Sequence, residues 1–225
     1  IEKETNPDTG RPGRKVLDAS FSGIPDELKE AIRNFVLNIV VRKLRGHINP
    51  HNTMMINIHY LTKVNNALYT EVRIYLEELK RACNSFYKLP YSSAIKNSHI
   101  SSLEETFIKE FVNKGIQISD GNEGFKEILK NLNLSKTIQT LSINFHSKNE
   151  VDYESYPSGR NVIVIGGFSL SRGLTLEGLS VTFFDRTTKF SDTLLQMGRW
   201  FGYRPRYEDI CRVYIDNQSL NFYED

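Results

Sequence analysis

Residues 162–167 read Val162-Ile163-Val164-Ile165-Gly166-Gly167, an unbroken apolar run that stops at two glycines. Successive β-branched residues are typical of a strand that is buried on both faces, as in a central parallel sheet. Other strand-like runs lie at 54–58, 138–145, 179–184 and 210–215, and helical patterns lie at 25–45, 64–82 and 190–201. Strands that alternate with helices predict an α/β domain with a mainly parallel sheet.

The length of the chain and the positions of its glycine and proline residues predict one domain over residues 1–225. Residues 1–23 are rich in proline and glycine, which predicts an irregular lead-in. Between the helix at 64–82 and the strand at 138–145, helical stretches near 103–113 and 123–132 predict a helical insertion at 84–136.

The composition limits the function classes. A net charge of +2 excludes a basic coat over the whole surface, so nucleic-acid binding would depend on local patches and be weak, salt-dependent and blind to sequence. No apolar run approaches a membrane span, and the two cysteines suggest neither a disulfide framework nor a zinc site, so a cytoplasmic setting is expected. Basic residues cluster in two places: Arg42, Lys43 and Arg45, and Arg199, Arg204, Arg206 and Arg212. The first cluster suits either a helix dipole or a phosphate contact.

The loop after the strand at 162–165 has a composition that suits phosphate binding. Ligands of parallel α/β sheets collect at the carboxyl ends of the strands. A loop containing glycine there can aim backbone N–H groups at phosphate oxygens. The same loop carries the hydroxyl groups of Ser169, Ser171 and Thr175. It also carries the fixed charge of Arg172, followed by Gly173. A tight turn with a solvated arginine remains the alternative.

A second candidate segment is Asp192-Thr-Leu-Leu-Gln196-Met-Gly-Arg199-Trp-Phe-Gly-Tyr-Arg204. Gln196 and Arg199 are three residues apart and would share one face of a helix. Arginine is planar and always charged, which suits it to a transferring phosphoryl group. A surface helix paired with carboxylates remains the alternative.

Together the two segments resemble motifs five and six of the superfamily 2 helicases. Ser169 to Gly173 is similar to the hydroxyl-then-Arg-Gly pattern, and Gln196, Gly198 and Arg199 are similar to the Gln…Gly-Arg pattern. Residues 170–179, 196–204 and 207–212, together with 44–47 and 51–54, more narrowly resemble the Z1 domain family. That resemblance implies a RecA-like three-layer sandwich and an endonuclease attached to a helicase-type ATPase in a bacterial restriction or phage-defence system.

The resemblance also implies roles for individual residues. Gln196, Arg199 and Arg204 would face ATP bound on another lobe, and Ser169, Arg172, Gly173 and Thr175 would couple the nucleotide to DNA. Three departures from the helicase pattern leave open which arginine contacts the γ-phosphate. Gln196 precedes Arg199 by three residues rather than four, Arg204 follows by five rather than three, and Thr175 replaces an acidic residue.

No Gly-x-x-x-x-Gly-Lys-Ser/Thr phosphate loop occurs in the chain. ATP and Mg²⁺ are therefore expected on a missing N-terminal lobe, and the isolated chain is expected not to hydrolyse ATP. Residues Val181 to Asp185 resemble a strand that ends in a magnesium-binding aspartate. Because the chain has no phosphate loop, we interpret them as the ordinary strand that connects the two motifs.

Two other function classes remain open. A metal nuclease is suggested by Glu27-x-Lys29, by Glu78-x-Lys80 and by His47, His51 and Asn52, although the first two fall on predicted helices. Alternatively, Trp200, Phe201, Tyr203 and Tyr207 would form the interface of an assembly module. Partner proteins from a defence operon fit either class.

Overall fold

The computed structural model describes residues 23–58, 62–119, 121, 124–143, 151–166, 175–184 and 206–215. Within them lies one five-stranded sheet: β1 Asn52–Asn57, β2 Gln139–Ile143, β3 Asn161–Gly166, β4 Leu179–Phe184 and β5 Arg212–Ile215. The strand order is β2-β3-β1-β4-β5, and each adjacent pair is parallel. The predicted α/β fold with a mainly parallel sheet is confirmed.

The central strands β3, β1 and β4 are nearly all buried, as their apolar sequences predict. Alternate side chains enter two apolar clusters on opposite faces of the sheet. Met54, Ile163 and Val181 belong to the larger cluster with the helices. Met55, Val162, Val164 and Leu179 belong to the smaller cluster, which Val151, Tyr153 and Leu176 complete. Both faces of the sheet are therefore covered.

Helix α1 (Asp26–Leu44) forms where the apolar stripe and its end signals predict it. Pro25 is the N-cap residue, Asp26 and Glu27 lie in the first turn, and Arg42 and Lys43 lie in the last. Acidic residues at the start and basic residues at the end complement the helix dipole. The helix packs directly against the sheet, with Leu28, Ile32, Phe35, Val36, Leu37 and Val40 fully buried.

Helix α2 (Thr62–Phe86) is longer than the predicted 64–82, and its face of Leu68, Val72, Leu76 and Leu79 is buried. The next segment is helical, as predicted. It contains α3 (Tyr91–Ala94), α4 (Ser98–Phe107) continued by a π-helical turn (Ile108–Val112), α5 (Phe125–Lys130) and a 3₁₀ turn (Leu132–Thr137). Its buried residues, such as Leu103, Phe107 and Ile128, share one apolar cluster with α1 and α2.

Two sequence expectations fall outside the described residues: the lead-in at 1–23, apart from its last residue, and the helix at 190–201. None of the helices that the structure describes is long and apolar enough to cross a membrane. Cys83 and Cys211 are both free thiols. Burial raises the pKa of Cys83 to about 12, so this thiol is unreactive in the folded protein.

Candidate functional site

The carboxyl edge of the sheet is where the chain leaves β3 and β4 for the two stretches that contain most of the motif-like residues. Ile56 of β1 pairs with Ile165 of β3, and Asn57 pairs with Phe184 of β4. The segments 167–174 and 185–205 therefore begin on the two strands that flank β1. Two strand spacings separate them, which is roughly 10 Å. A ligand at this edge of the sheet would lie beside both starting points.

Most of the predicted site residues lie outside the described part of the chain. Ser169, Arg172 and Gly173 of the first segment are among them, as are Gln196, Arg199 and Arg204 of the second. Thr175 is described. It is exposed and lies four residues ahead of β4. Thr175 thus lies at the end of the connection between β3 and β4, close to the start of β4.

Asn57 is a residue at this edge that sequence reasoning missed. It ends the apolar strand β1 and is fully buried, although its side chain is polar. It lies on the central strand, between the origins of the two motif-like segments. A polar residue that terminates the run Met54-Met55-Ile56 is the signal that marks it in the sequence.

At the amino edge of the sheet, the guanidinium of Arg42 is enclosed by partners. Nη1 donates to the backbone oxygen of His51 at 2.6 Å and to Oδ1 of Asn52 at 2.7 Å. Its central carbon lies 4.0 Å from the centroid of the Tyr207 ring, close enough for a cation–π contact. Arg42 is only 5% exposed. This arginine therefore joins α1, β1 and the C-terminal segment, and it is not available to bind a phosphate.

Gly178 makes the close approach at this edge possible. It has a φ of 64°, and a Cβ on it would come closer than 3.0 Å to the backbone oxygen of His51, the same oxygen that Arg42 binds. Thr53 Oγ1 also donates to the Glu177 oxygen at 2.6 Å, next to this contact. Only glycine fits this position without moving the start of β1.

His47 and His51 occupy a polar turn rather than a cluster of ligands. His51 Nδ1 accepts a hydrogen bond from the Arg160 backbone N–H at 3.1 Å, and His47 Nδ1 accepts one from Arg42 Nε at 3.4 Å. Burial and then the neighbouring charge of Arg42 lower the pKa of His47, which favours the neutral form of that ring. No group of three His, Cys, Asp or Glu side chains suited to a metal occurs among the described residues.

Arg45 anchors the segment that follows the second motif-like stretch. Its guanidinium binds Asp209 through two bonds of 2.8 and 2.6 Å and donates to the backbone oxygen of Arg206 at 3.2 Å. Nearby, Asn38 Nδ2 donates to the Ile210 oxygen at 3.1 Å. Residues 206–210 are therefore held at the C-terminal end of α1. Arg42 and Arg45 therefore do more than complement the dipole of α1, because both bind residues of the C-terminal segment.

Glu110, in the π-helical turn, is a buried carboxylate between two cations. Its Oε2 lies 2.5 Å from Lys114 Nζ and 2.7 Å from Arg212 Nε, and its side chain is 5% exposed. Burial acts to raise the pKa of Glu110, but the hydrogen bonds from Lys114 and Arg212 outweigh it and the pKa is lowered. Glu110 thus fixes the edge strand β5 to the helical segment, and Arg212 is not free to bind nucleic acid.

Replacing Glu110 by glutamine should lower the free energy of unfolding at pH 7 by about 2–3 kcal/mol, because Arg212 then loses its charged partner. A carboxyl group whose pKa is lowered by folding stabilises the protein above its unfolded pKa, here 4.5. That contribution disappears as the pH falls from 4.5 through the folded pKa. Urea unfolding between pH 3 and pH 7 should therefore show the two proteins converging below about pH 4.5. A constant difference over that range would contradict the charge-based account.

The Glu-x-Lys sequences that suggested a nuclease belong to ordinary helix surfaces. Lys29 binds Asp26 at 2.8 Å on α1, and Lys80 binds Glu77 at 2.8 Å on α2. Both are bonds between residues three apart on one exposed helix face. The prediction that these sequences lie on helices is confirmed.

A cleft beside the C-terminal end of α1 also offers little free charge. It has a volume of about 740 Å³ and lies beside Arg45, Lys114 and Asp209. Arg45 is paired with Asp209, and Lys114 with Glu110. Both cations of this cleft are thus paired within the fold.

Comparison with protein-family models gives one finding: the model of the Z1 domain matches residues 27–225. Comparison with curated proteins and with solved structures gives no significant match. The family match covers the helical core, the sheet and both motif-like segments.

Proposed function

Because the chain belongs to the Z1 domain family, we propose that it is the second lobe of a helicase-like, nucleic-acid-dependent ATPase in a DNA restriction or phage-defence system. In this proposal the lobe has a RecA-like three-layer fold. The observation that carries the proposal is the common origin of the two motif-like segments. They leave the same carboxyl edge of an all-parallel sheet, from the strands on either side of β1.

The proposed lobe would complete a nucleotide site that another lobe holds. Gln196 and Arg199 would reach the phosphates of ATP, where arginine stabilises the negative charge that develops during phosphoryl transfer. Ser169, Arg172 and Gly173 would connect the nucleotide state to the DNA. Thr175 lies four residues ahead of the start of β4, toward the amino edge of the sheet, and is not part of the proposed site at the carboxyl edge. ATP would bring its Mg²⁺ on the other lobe.

Arg204 has a different position in this proposal from Arg199. Arg206, two residues later in the sequence, is held by Arg45 at the amino edge. Two residues span at most about 7 Å, whereas a six-residue strand is about 20 Å long. We therefore assign the γ-phosphate contact at the carboxyl edge to Arg199. Arg204 would meet the other lobe from the side of α1.

The isolated chain should hydrolyse ATP no faster than the background, because it has no phosphate loop to hold the nucleotide. Steady-state assays with Mg²⁺, with and without added DNA, measure this directly. Turnover that is DNA-stimulated and abolished by Arg199→Ala would contradict the idea that the lobe is incomplete.

A further inference from the structure

A stretch of the helical segment is free of acidic residues. Between Glu78 and Glu104 the chain contains no aspartate or glutamate, but it contains Lys80, Arg81, Lys88 and Lys96. In a chain whose net charge is only +2, such a stretch is a local concentration of positive charge. It includes the end of α2, the turn that follows and α3.

A groove lies over this stretch, between the turn at 87–90 and helix α5. Its volume is about 610 Å³, and it is open to solvent. The described residues that line it include no carboxylate. They include two tyrosines, three lysines and an exposed leucine: Tyr87, Tyr91, Lys88, Lys126, Lys130 and Leu89.

Two of the ammonium groups in the groove each lie near a tyrosine ring. Lys88 Nζ lies 5.3 Å from the centroid of the Tyr87 ring, and Lys126 Nζ lies 5.7 Å from that of Tyr91. The Tyr91 hydroxyl donates to Glu104 at 2.8 Å, which fixes the ring in place. Lys130 is paired with Glu127 at 2.7 Å, which leaves Lys88 and Lys126 as the other two lysines of the groove.

We propose that the groove formed by Tyr87, Lys88, Tyr91 and Lys126 binds a single strand of nucleic acid. The lysines bind successive phosphates, and unstacked bases pack against the tyrosine rings and Leu89. A single strand fits better than a duplex, because only a single strand presents both its phosphates and its base faces to such a groove. The inference rests on the proposed action on DNA and adds where the strand lies.

Fluorescence anisotropy of the 225-residue chain with labelled 20-nucleotide strands at several salt concentrations tests this inference. The probes are oligo-dT, oligo-rU and a duplex of the same length. We expect the double variant Lys88→Gln/Lys126→Gln to lose at least about tenfold in affinity for oligo-dT at low salt. Its log–log salt slope should also be smaller in magnitude by about 1.4, the value for two lost phosphate contacts on a single strand. Tyr87→Leu should weaken binding several-fold without changing the slope.

The matched control is Lys29→Gln/Lys109→Gln, which removes the same charge from two lysines paired elsewhere with Asp26 and Glu30. Thermal unfolding confirms that each variant is folded. Equal binding of oligo-dT and oligo-rU would support recognition of the shared phosphate and base chemistry, and a preference would identify the natural strand. Groove variants that behave like the control would overturn this inference and leave the proposed function standing. Tighter binding of the duplex would overturn it as well, and no binding by the unmodified chain would overturn both the groove and the direct DNA contact.

Discussion

Replacing Gly178 by alanine should destabilise the domain by about 4 kcal/mol or more, which is a large part of the total stability of an ordinary domain. The backbone of Gly178 has a φ of 64°, a conformation that costs any other residue about 1–2 kcal/mol. In addition, the new Cβ would collide with the backbone of His51. His51 can move only if Arg42 loses its 2.6 Å hydrogen bond at the first turn of the central strand.

Gly115→Ala is the matched control for this prediction. Gly115 has nearly the same φ, 65°, but a Cβ there would meet nothing within 4 Å. Gly115→Ala should lower the free energy of unfolding only by the cost of the backbone conformation, about 1–2 kcal/mol. Thermal unfolding of both variants measures the difference, which at about 2–4 °C per kcal/mol should separate their midpoints clearly. Equal losses at the two positions would show that the contact between Gly178 and His51 is not what restricts residue 178 to glycine.

The strands and helices of this protein were largely predictable, because their signals are local. The run of Val162 to Ile165 is buried on both faces and is central, and the stripe on α1 ends at Gly46 as predicted. The longer α2 was missed at its C-terminal end, where the apolar face continues from Leu79 through Cys83 to the half-buried Phe86. Local patterns of this kind do not fix the end of a helix well.

The contacts at the amino edge could not be predicted, because they join residues that are distant in sequence. Arg42 stacks on Tyr207, and Arg45 binds Asp209, although more than 160 residues separate each pair. In the sequence, Arg42 and Arg45 belong to a basic cluster of the kind that phosphate-binding sites also contain. Only the fold shows that the positive charge is used inside the domain. The same holds for Arg212 of strand β5, whose partner Glu110 lies in the π-helical turn about 100 residues earlier in the sequence.

The proposed role of Arg199 implies the largest effect on activity. In a protein that carries this chain together with its ATP-binding lobe, Arg199→Ala should lower kcat about a thousandfold, because an arginine in this position stabilises the transferring phosphoryl group. ATP binding should change much less, since the charge is greatest in the transition state. Arg204→Ala should have the smaller effect, because its neighbour Arg206 is held at the opposite edge of the sheet.

The most direct test of the central claim is single-turnover ATP hydrolysis by that two-lobe protein and its Arg199→Ala variant, with ATP affinity measured in parallel. Arg73→Ala is the control, since Arg73 is an exposed arginine on the outer face of α2. We predict a loss of about a thousandfold in the rate for Arg199→Ala and no change for Arg73→Ala. Hydrolysis by Arg199→Ala at the unmodified rate would contradict the claim that this lobe completes the nucleotide site.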